Sequence, residues 1–162
     1  MLNYKVDFTY VVSREEKLFT VSLLPDSKGK FPVVIIRSPY VDRYENEEEE
    51  NITVEYLNEY KNWLKNGYAV VVQHCRGRGK SEGDCIPYIN EREDGLALQE
   101  WIRKQEFYNG EIFLKGGSYL TSVHYVMHDI IPPLFTFFPV FSGFLLYNKI
   151  GFLFHGAMVE ME

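Results

Sequence analysis

The strongest chemical feature of this sequence is a serine in a glycine-rich turn, Leu114-Lys115-Gly116-Gly117-Ser118-Tyr119-Leu120. A short β-type run precedes it and a helical pattern follows. A serine on a sharp strand-to-helix turn stands above the carboxyl edge of a sheet, where its hydroxyl can attack a carbonyl carbon. The N–H of the next residue then faces the oxygen on which charge develops. Such a turn crowds its own backbone, so a small residue is needed two positions before the serine, and Gly116 supplies it. Gly-x-Ser alone is a weak motif, shared by many plain turns. A second feature is Ile36-Arg37-Ser38-Pro39-Tyr40, just past an apolar run. The carboxyl ends of strands line the ligand crevice of open α/β sheets, so a Tyr40 hydroxyl there could donate to an oxyanion. Against this, Tyr40 is one of 12 tyrosines and could simply pack.

Three other constellations invite a functional reading and support it less. His74-Cys75-Arg76-Gly77-Arg78-Gly79-Lys80-Ser81-Glu82-Gly83 places Gly79-Lys80-Ser81 after a strand, like a phosphate loop. That loop needs a glycine five positions before Gly79, where His74 stands, and the dinucleotide spacing fails as well. His124 and His128 are four apart and would share a helix face, yet Asp129 is the sole further ligand type beside them, so a metal site is not expected. Cys75 next to Arg76 has the setting of a thiol with a lowered pKa, but a structural thiol is the simpler expectation.

The elements that position these residues alternate along the chain. Tyr4–Tyr10 and Leu18–Leu23 alternate at period two and predict an antiparallel hairpin or meander. Phe31–Ile36 and Tyr68–Gln73 are continuous, β-branched apolar runs, as expected of strands buried on both faces. Between them Ile52, Tyr56, Leu57, Tyr60, Trp63 and Leu64 fall on one helical face, and Gly67 ends that helix. The acidic run Glu45–Asn51 reads as a solvated approach to it, with its charge toward the helix's positive end. Glu93-Asp94 opens a second amphipathic helix bearing Leu96, Leu98, Trp101 and Ile102. Tyr108-Asn109-Gly110 reads as a turn, Glu111–Leu114 as a strand, and a helix is expected from about Tyr119. Strand and helix in alternation specify a parallel sheet with crossovers on its faces.

Composition narrows the class. The 162 residues are 46% apolar and 25% charged, which suits one globular domain and excludes a disordered or collagen-like chain. The net charge of −6 disfavours nucleic acid as a partner. Two cysteines are too few for a disulfide scaffold, and residues 1–7 carry no apolar signal core, so a cytoplasmic location is expected. Ile130–Asn148 is uncharged and long enough to span a bilayer. Its Pro132, Pro133, Pro139 and Gly143 argue instead for a buried strand with loops, and no membrane partner is expected.

The ordered set of motifs resembles the CocE/NonD group of α/β-hydrolases, which includes cocaine esterase and X-prolyl dipeptidyl-peptidase enzymes. The set comprises Arg37-Ser38-Pro39-Tyr40, Asn66-Gly67-Tyr68 with its strand, Arg76 to Gly83, Asp94-Gly95 with Trp101-Ile102, Asn109-Gly110-Glu111-Ile112 and Gly116-Gly117-Ser118-Tyr119-Leu120. The resemblance covers about residues 1–128. It implies an α/β fold: the N-terminal part of an α/β-hydrolase, a mostly parallel sheet with helices on both faces, preceded by antiparallel strands. The expected division is 1–30 leader strands, 31–128 hydrolase core and 129–162 an apolar tail. The resemblance also implies Ser118 as nucleophile, Tyr40 as the oxyanion hydroxyl and Tyr119 as the backbone oxyanion donor. The Arg76–Gly83 loop would be scaffold beside the site. The implied reaction is ester or amide hydrolysis through an acyl-serine on a small ester or short, Xaa-Pro-type peptide. No cofactor and no metal are implied.

The sequence departs from that group at named places. Thr121 stands where the group has a second glycine, and its Cβ is expected to crowd the helix against the strand. His74 stands where the group has aspartate. The part after about Pro133, with seven phenylalanines between Phe135 and Phe154, matches poorly. The group's acid and histidine lie far downstream of a helical cap, and neither is present by motif. His124, His128 and His155 follow Ser118 without matching. The expectation is therefore a truncated or frameshifted piece of a serine hydrolase, with nucleophile and oxyanion donors but no relay. Its alternatives are an inactive, hydrolase-like binding protein that uses the apolar tail as an interface with itself or a partner, or an acid and histidine supplied by another chain.

Overall fold

The computed structural model describes residues 4–25 and 28–127. Nine elements follow in order: β1 Lys5–Ser13, β2 Glu16–Leu24, β3 Phe31–Ser38, a one-turn 3-10 helix Asp42–Tyr44, α1 Glu49–Lys65, β4 Ala69–His74, α2 Glu91–Arg103, β5 Tyr108–Leu114 and α3 Tyr119–Tyr125. The strands form one sheet in the order β1-β2-β4-β3-β5. β1–β2 and β2–β4 pair antiparallel, β4–β3 and β3–β5 parallel. Among the described residues β4, β3 and β5 thus form the parallel part of the sheet, and the antiparallel strands expected ahead of it are β1 and β2. The leader hairpin does not stand apart from the sheet: it supplies its first two strands.

The two continuous apolar runs are continuous because the sheet is covered on both sides. Val34, Ile36, Val70 and Val72 pack with Phe19, Val21 and Leu23 against Ile52, Tyr56, Tyr60 and Leu64 of α1. The alternate residues Val33, Ile35, Ala69 and Val71 pack against Leu98 and Ile102 of α2, together with Ile112, Leu114 and Met127. The central valines and isoleucines are essentially inaccessible, and each such side chain contributes roughly 1.5–3 kcal/mol. At the carboxyl edge both rows turn polar. Val33-Ile35 continues to Arg37 and Ala69-Val71 to Gln73 on the α2 side, while Val70-Val72 continues to His74 on the α1 side.

α1 ends as its sequence predicts. Gly67 has φ +81°, its N–H donates to Leu64 O and that of Tyr68 to Trp63 O. The rings of Trp63 and Tyr68 meet at 5.4 Å. These are the two bonds and the apolar contact of a left-handed glycine cap. The acidic run is exposed as expected, but its last glutamates, Glu49 and Glu50, already form the first turn of α1.

Two boundaries differ from expectation. Tyr108-Asn109-Gly110 does not precede the strand but opens β5: Tyr108 pairs with Phe31, and Asn109 and Gly110 fall in the irregularity before Ile112 pairs with Val33, Gly110 at φ +112° and Asn109 Oδ1 accepting from the Glu111 N–H at 2.9 Å. The local turn preference of Asn-Gly is kept as that irregularity, while the residues on either side pair with β3. Helix α2 begins at Glu91 rather than Glu93, because Glu91 and Asp94 are both held from outside the helix.

His74 is buried between the Phe19 and Tyr44 rings. Its Nδ1 accepts from the Lys80 N–H at 3.3 Å, so Nε2 carries the proton toward Tyr56 Oη at 3.0 Å. Burial, with a smaller contribution from Lys80, lowers its pKa to about 4. His124 is also buried, and burial followed by nearby Arg37 lowers it to about 3. An unfolded histidine takes up its proton near pH 6.5. Between that pH and about 4 the unfolded chain therefore binds more protons than the folded one, and stability falls as pH falls. Urea midpoints should be flat above pH 7 and drop steadily from pH 6.5 to 5. Each buried histidine approaches a tenfold change in the folding equilibrium per pH unit. A flat profile over that window would contradict the burial of neutral histidines.

Candidate active site

Ser118 sits at the turn between β5 and α3 with φ +55° and ψ −129°, a region that side chains other than glycine seldom occupy. Its side chain is exposed. The turn is tight because α3 starts immediately: Leu120 N–H bonds to Gly117 O, and Thr121 N–H to Ser118 O. A Cβ on Gly116 would overlap the Leu120 carbonyl and come within 2.7 Å of Thr121 N. Gly116 is therefore required by close approach. Thr121 does not crowd the helix: it is fully buried, and its hydroxyl donates to Gly116 O at 2.9 Å. The residue expected to strain the turn closes it with a hydrogen bond.

The sheet brings Tyr40 and Ser118 to one edge. β3 and β5 are parallel neighbours with Ile35 opposite Leu114, and Lys115 N–H bonds to Ile35 O at 2.9 Å. Tyr40 follows Ile35 by five residues and Ser118 follows Leu114 by four, so both emerge from adjacent strand ends. Tyr40 is 60% exposed, and its backbone N–H is held by Ser38 Oγ at 3.1 Å. Tyr119 is the first residue of α3, so its N–H has no acceptor within the helix.

A cluster that sequence reasoning did not assemble underlies this edge. Arg37, fully buried, donates to Gln73 Oε1 at 2.9 Å and Glu91 O at 2.9 Å. It pairs with the Glu91 carboxylate at 3.0 Å and, more loosely, with Asp94 at 3.7 Å. Arg76 grips Asp94 with two bonds, 3.1 and 2.6 Å, and also donates to Ser13 O. Two cations and two anions thus join β1, β3, β4 and α2. The available signal was a lone arginine ending a buried strand, with two carboxylates three apart opening a helix. Beside it, Tyr119 donates to Glu91 Oε1 at 3.0 Å and accepts from Tyr88 N–H at 3.2 Å.

The remaining candidates fall away as catalytic groups. The Cys75 thiol is buried, and burial pushes its pKa up rather than down despite Arg37, which fits the structural thiol expected of it and not the activated one. The His124 ring is buried behind the turn, with Nε2–H donating to Lys115 O at 3.3 Å. Among the described residues no group of three metal-ligating side chains is found. No helix of the described residues is long and apolar enough to cross a membrane. The Arg76–Gly83 loop is packed as scaffold: Ser81 accepts from Phe19 N–H and donates to His74 O, and Gly79 leaves room for His74 Nδ1. His128, His155 and the stretch Ile130–Asn148 lie outside the described residues.

Comparison with known proteins agrees with this fold. The family profile "X-Pro dipeptidyl-peptidase (S15 family)" matches residues 16–161, reaching well past residue 128, where the resemblance read from motifs stopped. Cocaine esterase from Rhodococcus sp. (strain MB1 Bresler) is 33% identical over 99 residues, 59% of this chain and 16% of that protein. The chain spans about a sixth of the length of the curated relatives it matches. A CocE/NonD family hydrolase from Staphylococcus aureus shares the fold at TM-score 0.62 and 27% identity, over 80% of this chain and 26% of that one. An α-amino acid ester hydrolase superposes at TM-score 0.63 and 22% identity, over 88% of this chain and 26% of that one.

Two expected outcomes follow from the site's packing and strain. Asp94→Ala leaves Arg37 and Arg76 buried beside too few anions, and should cost about 3–5 kcal/mol, read as a lowered urea midpoint. Ser118→Gly relieves the positive φ, and should be more stable than Ser118→Ala by about 1 kcal/mol. Equal midpoints for the two would mean that the turn stores no strain.

Proposed function

This chain belongs to the X-Pro dipeptidyl-peptidase (S15) family, and from that premise we propose that it carries the nucleophile and oxyanion donors of a serine hydrolase acting on esters or amides. The observation that carries the reading is Ser118 itself: exposed, at φ +55°, on a strand-to-helix turn that only Gly116 permits. The protein would keep such strain only where the surrounding structure over-determines it.

In the proposed reaction Ser118 Oγ attacks the substrate carbonyl carbon and loses its proton to a base. The carbonyl π pair moves to oxygen, where the Tyr40 hydroxyl and the Tyr119 N–H stabilise the charge. Collapse expels the alcohol or amine, which takes up the proton, and water then releases the acid from the acyl-serine by the same steps. A small ester or a short peptide with proline second is the substrate class we assign. The two described histidines are both buried and structurally bonded, so we assign the base and its acid partner to residues outside those described. A second reading, a hydrolase-like protein that binds without catalysis, draws on the same burial of His74 and His124.

Fluorophosphonate labelling of the purified chain, read by intact mass, separates the two. Labelling of wild type but not Ser118→Ala supports the hydrolase. A folded chain whose Ser118 stays unlabelled supports the binding protein.

A further inference from the structure

Tyr119 is used above only through its backbone, yet its side chain has the more unusual surroundings. The hydroxyl is bonded on both sides: it donates to Glu91 Oε1 at 3.0 Å and accepts from the Tyr88 N–H at 3.2 Å. Glu91 is anchored in turn by Arg37 at 3.0 Å. Tyr88 has φ +68°, which is uncommon for a bulky residue, and its ring lies 5.1 Å from that of Tyr119. It belongs to a segment that turns Ile86, Tyr88 and Ile89 toward solvent, each more than half exposed. Burial and the Glu91 carboxylate hold the phenol above its usual range, so it stays a donor at any working pH.

We propose that the Tyr119 hydroxyl is a positioning group, a latch to Glu91 that fixes the residue after the nucleophile and seats the Ile86–Ile89 segment beside it. This rests on the hydrolase reading above for its catalytic consequence, and on geometry alone for its structural one. The logic is mechanical. Ser118 and Tyr119 share one peptide unit, and Ser118 is in a strained conformation with open solvent on its side-chain face. The short α3 holds the turn from behind. From the front it is held by the phenol, which reaches across to α2 and so to the buried ion cluster. Removing the hydroxyl frees the turn to relax and leaves Tyr88 N–H without its acceptor. An N–H aimed at a developing oxyanion loses its effect when misaligned. Deleting such a donor outright costs about 10²–10³ in rate, and a displaced donor that is still present should cost about tenfold.

The test compares wild type, Tyr119→Phe, Glu91→Ala and Glu91→Gln by two measurements. The first is the saturable rate constant for fluorophosphonate labelling of Ser118. It should fall about tenfold in Tyr119→Phe with half-saturation unchanged, fall likewise in Glu91→Ala, and fall in Glu91→Gln as well, whose single amide oxygen cannot accept from both Arg37 and the hydroxyl. Loss of fold would lower the labelled fraction, not the rate constant. The second is amide hydrogen exchange, which needs no catalysis. In Tyr119→Phe the Tyr88 amide and the amides of 118–121 should exchange faster while those of β3 and β4 do not change. If wild type labels and Tyr119→Phe labels at the same rate, the latch is wrong and the hydrolase reading stands. If wild type does not label, the hydrolase reading fails for this chain, and exchange alone decides: faster local exchange upholds the latch, unchanged exchange overturns it.

Discussion

Asp94 sits fully buried between two arginines, and the carboxyl edge of the sheet is assembled around it. Arg37 comes from β3, Arg76 from the segment after β4, Asp94 and Glu91 from α2, and the Ser13 carbonyl from the end of β1. Removing four charges from water costs as much as their attraction returns, so the cluster adds little net stability compared with an apolar filling. What it does is make any other arrangement expensive, since displacing one member strands a charge of the opposite sign. The strand ends and the start of α2 are thereby held at fixed positions, and α2 begins a residue pair earlier than its own sequence suggests.

The turn at Ser118 depends on that framework. Its backbone is strained, and strain persists only if the parts on either side cannot move. β5 is anchored through its ladder with β3, and α3 packs Val123 and His124 into the interior. Thr121 ties the two across the Gly116 carbonyl. Ser118 is thus exposed while everything beneath it is buried and bonded. Reactive residues on mobile supports would lose the alignment that makes a neighbouring N–H useful.

The same division explains the two buried histidines. His74 lies at the edge of the α1 face, in the row that Val70 and Val72 begin, and Gly79 of the following loop packs against its ring. His124 lies behind the turn. Both are neutral structural groups, one bonded to a tyrosine and a backbone amide, the other to a backbone carbonyl. His124 is close to Ser118 in sequence and still buried, because the helix leaving the turn carries its side chains into the core.

The local patterns were enough for much of this. β-branched runs with no polar interruption have only one stable place, the centre of a sheet covered on both faces, and Gly67 after an amphipathic stretch can end a helix in only a few ways. Gly116-Gly117-Ser118 was legible as a sharp turn because Gly116 meets a steric requirement that acts over five residues. Tertiary structure decided whatever depended on partners distant in the chain. Asn109-Gly110 became an irregularity inside a strand because β3 was there to pair with Tyr108 before it and Ile112 after it. The Cys75 thiol is held above its usual range because burial outweighs the charge of Arg37, which comes from a different strand. Thr121 proved a tie because a carbonyl lay within reach of its hydroxyl. Arg37 met Glu91 and Asp94, more than fifty residues away, at a contact no spacing rule reports. Periodicity and sterics act between near neighbours and can be read along a chain. Ion pairs, desolvation and long-range hydrogen bonds exist only once the fold has brought their members together.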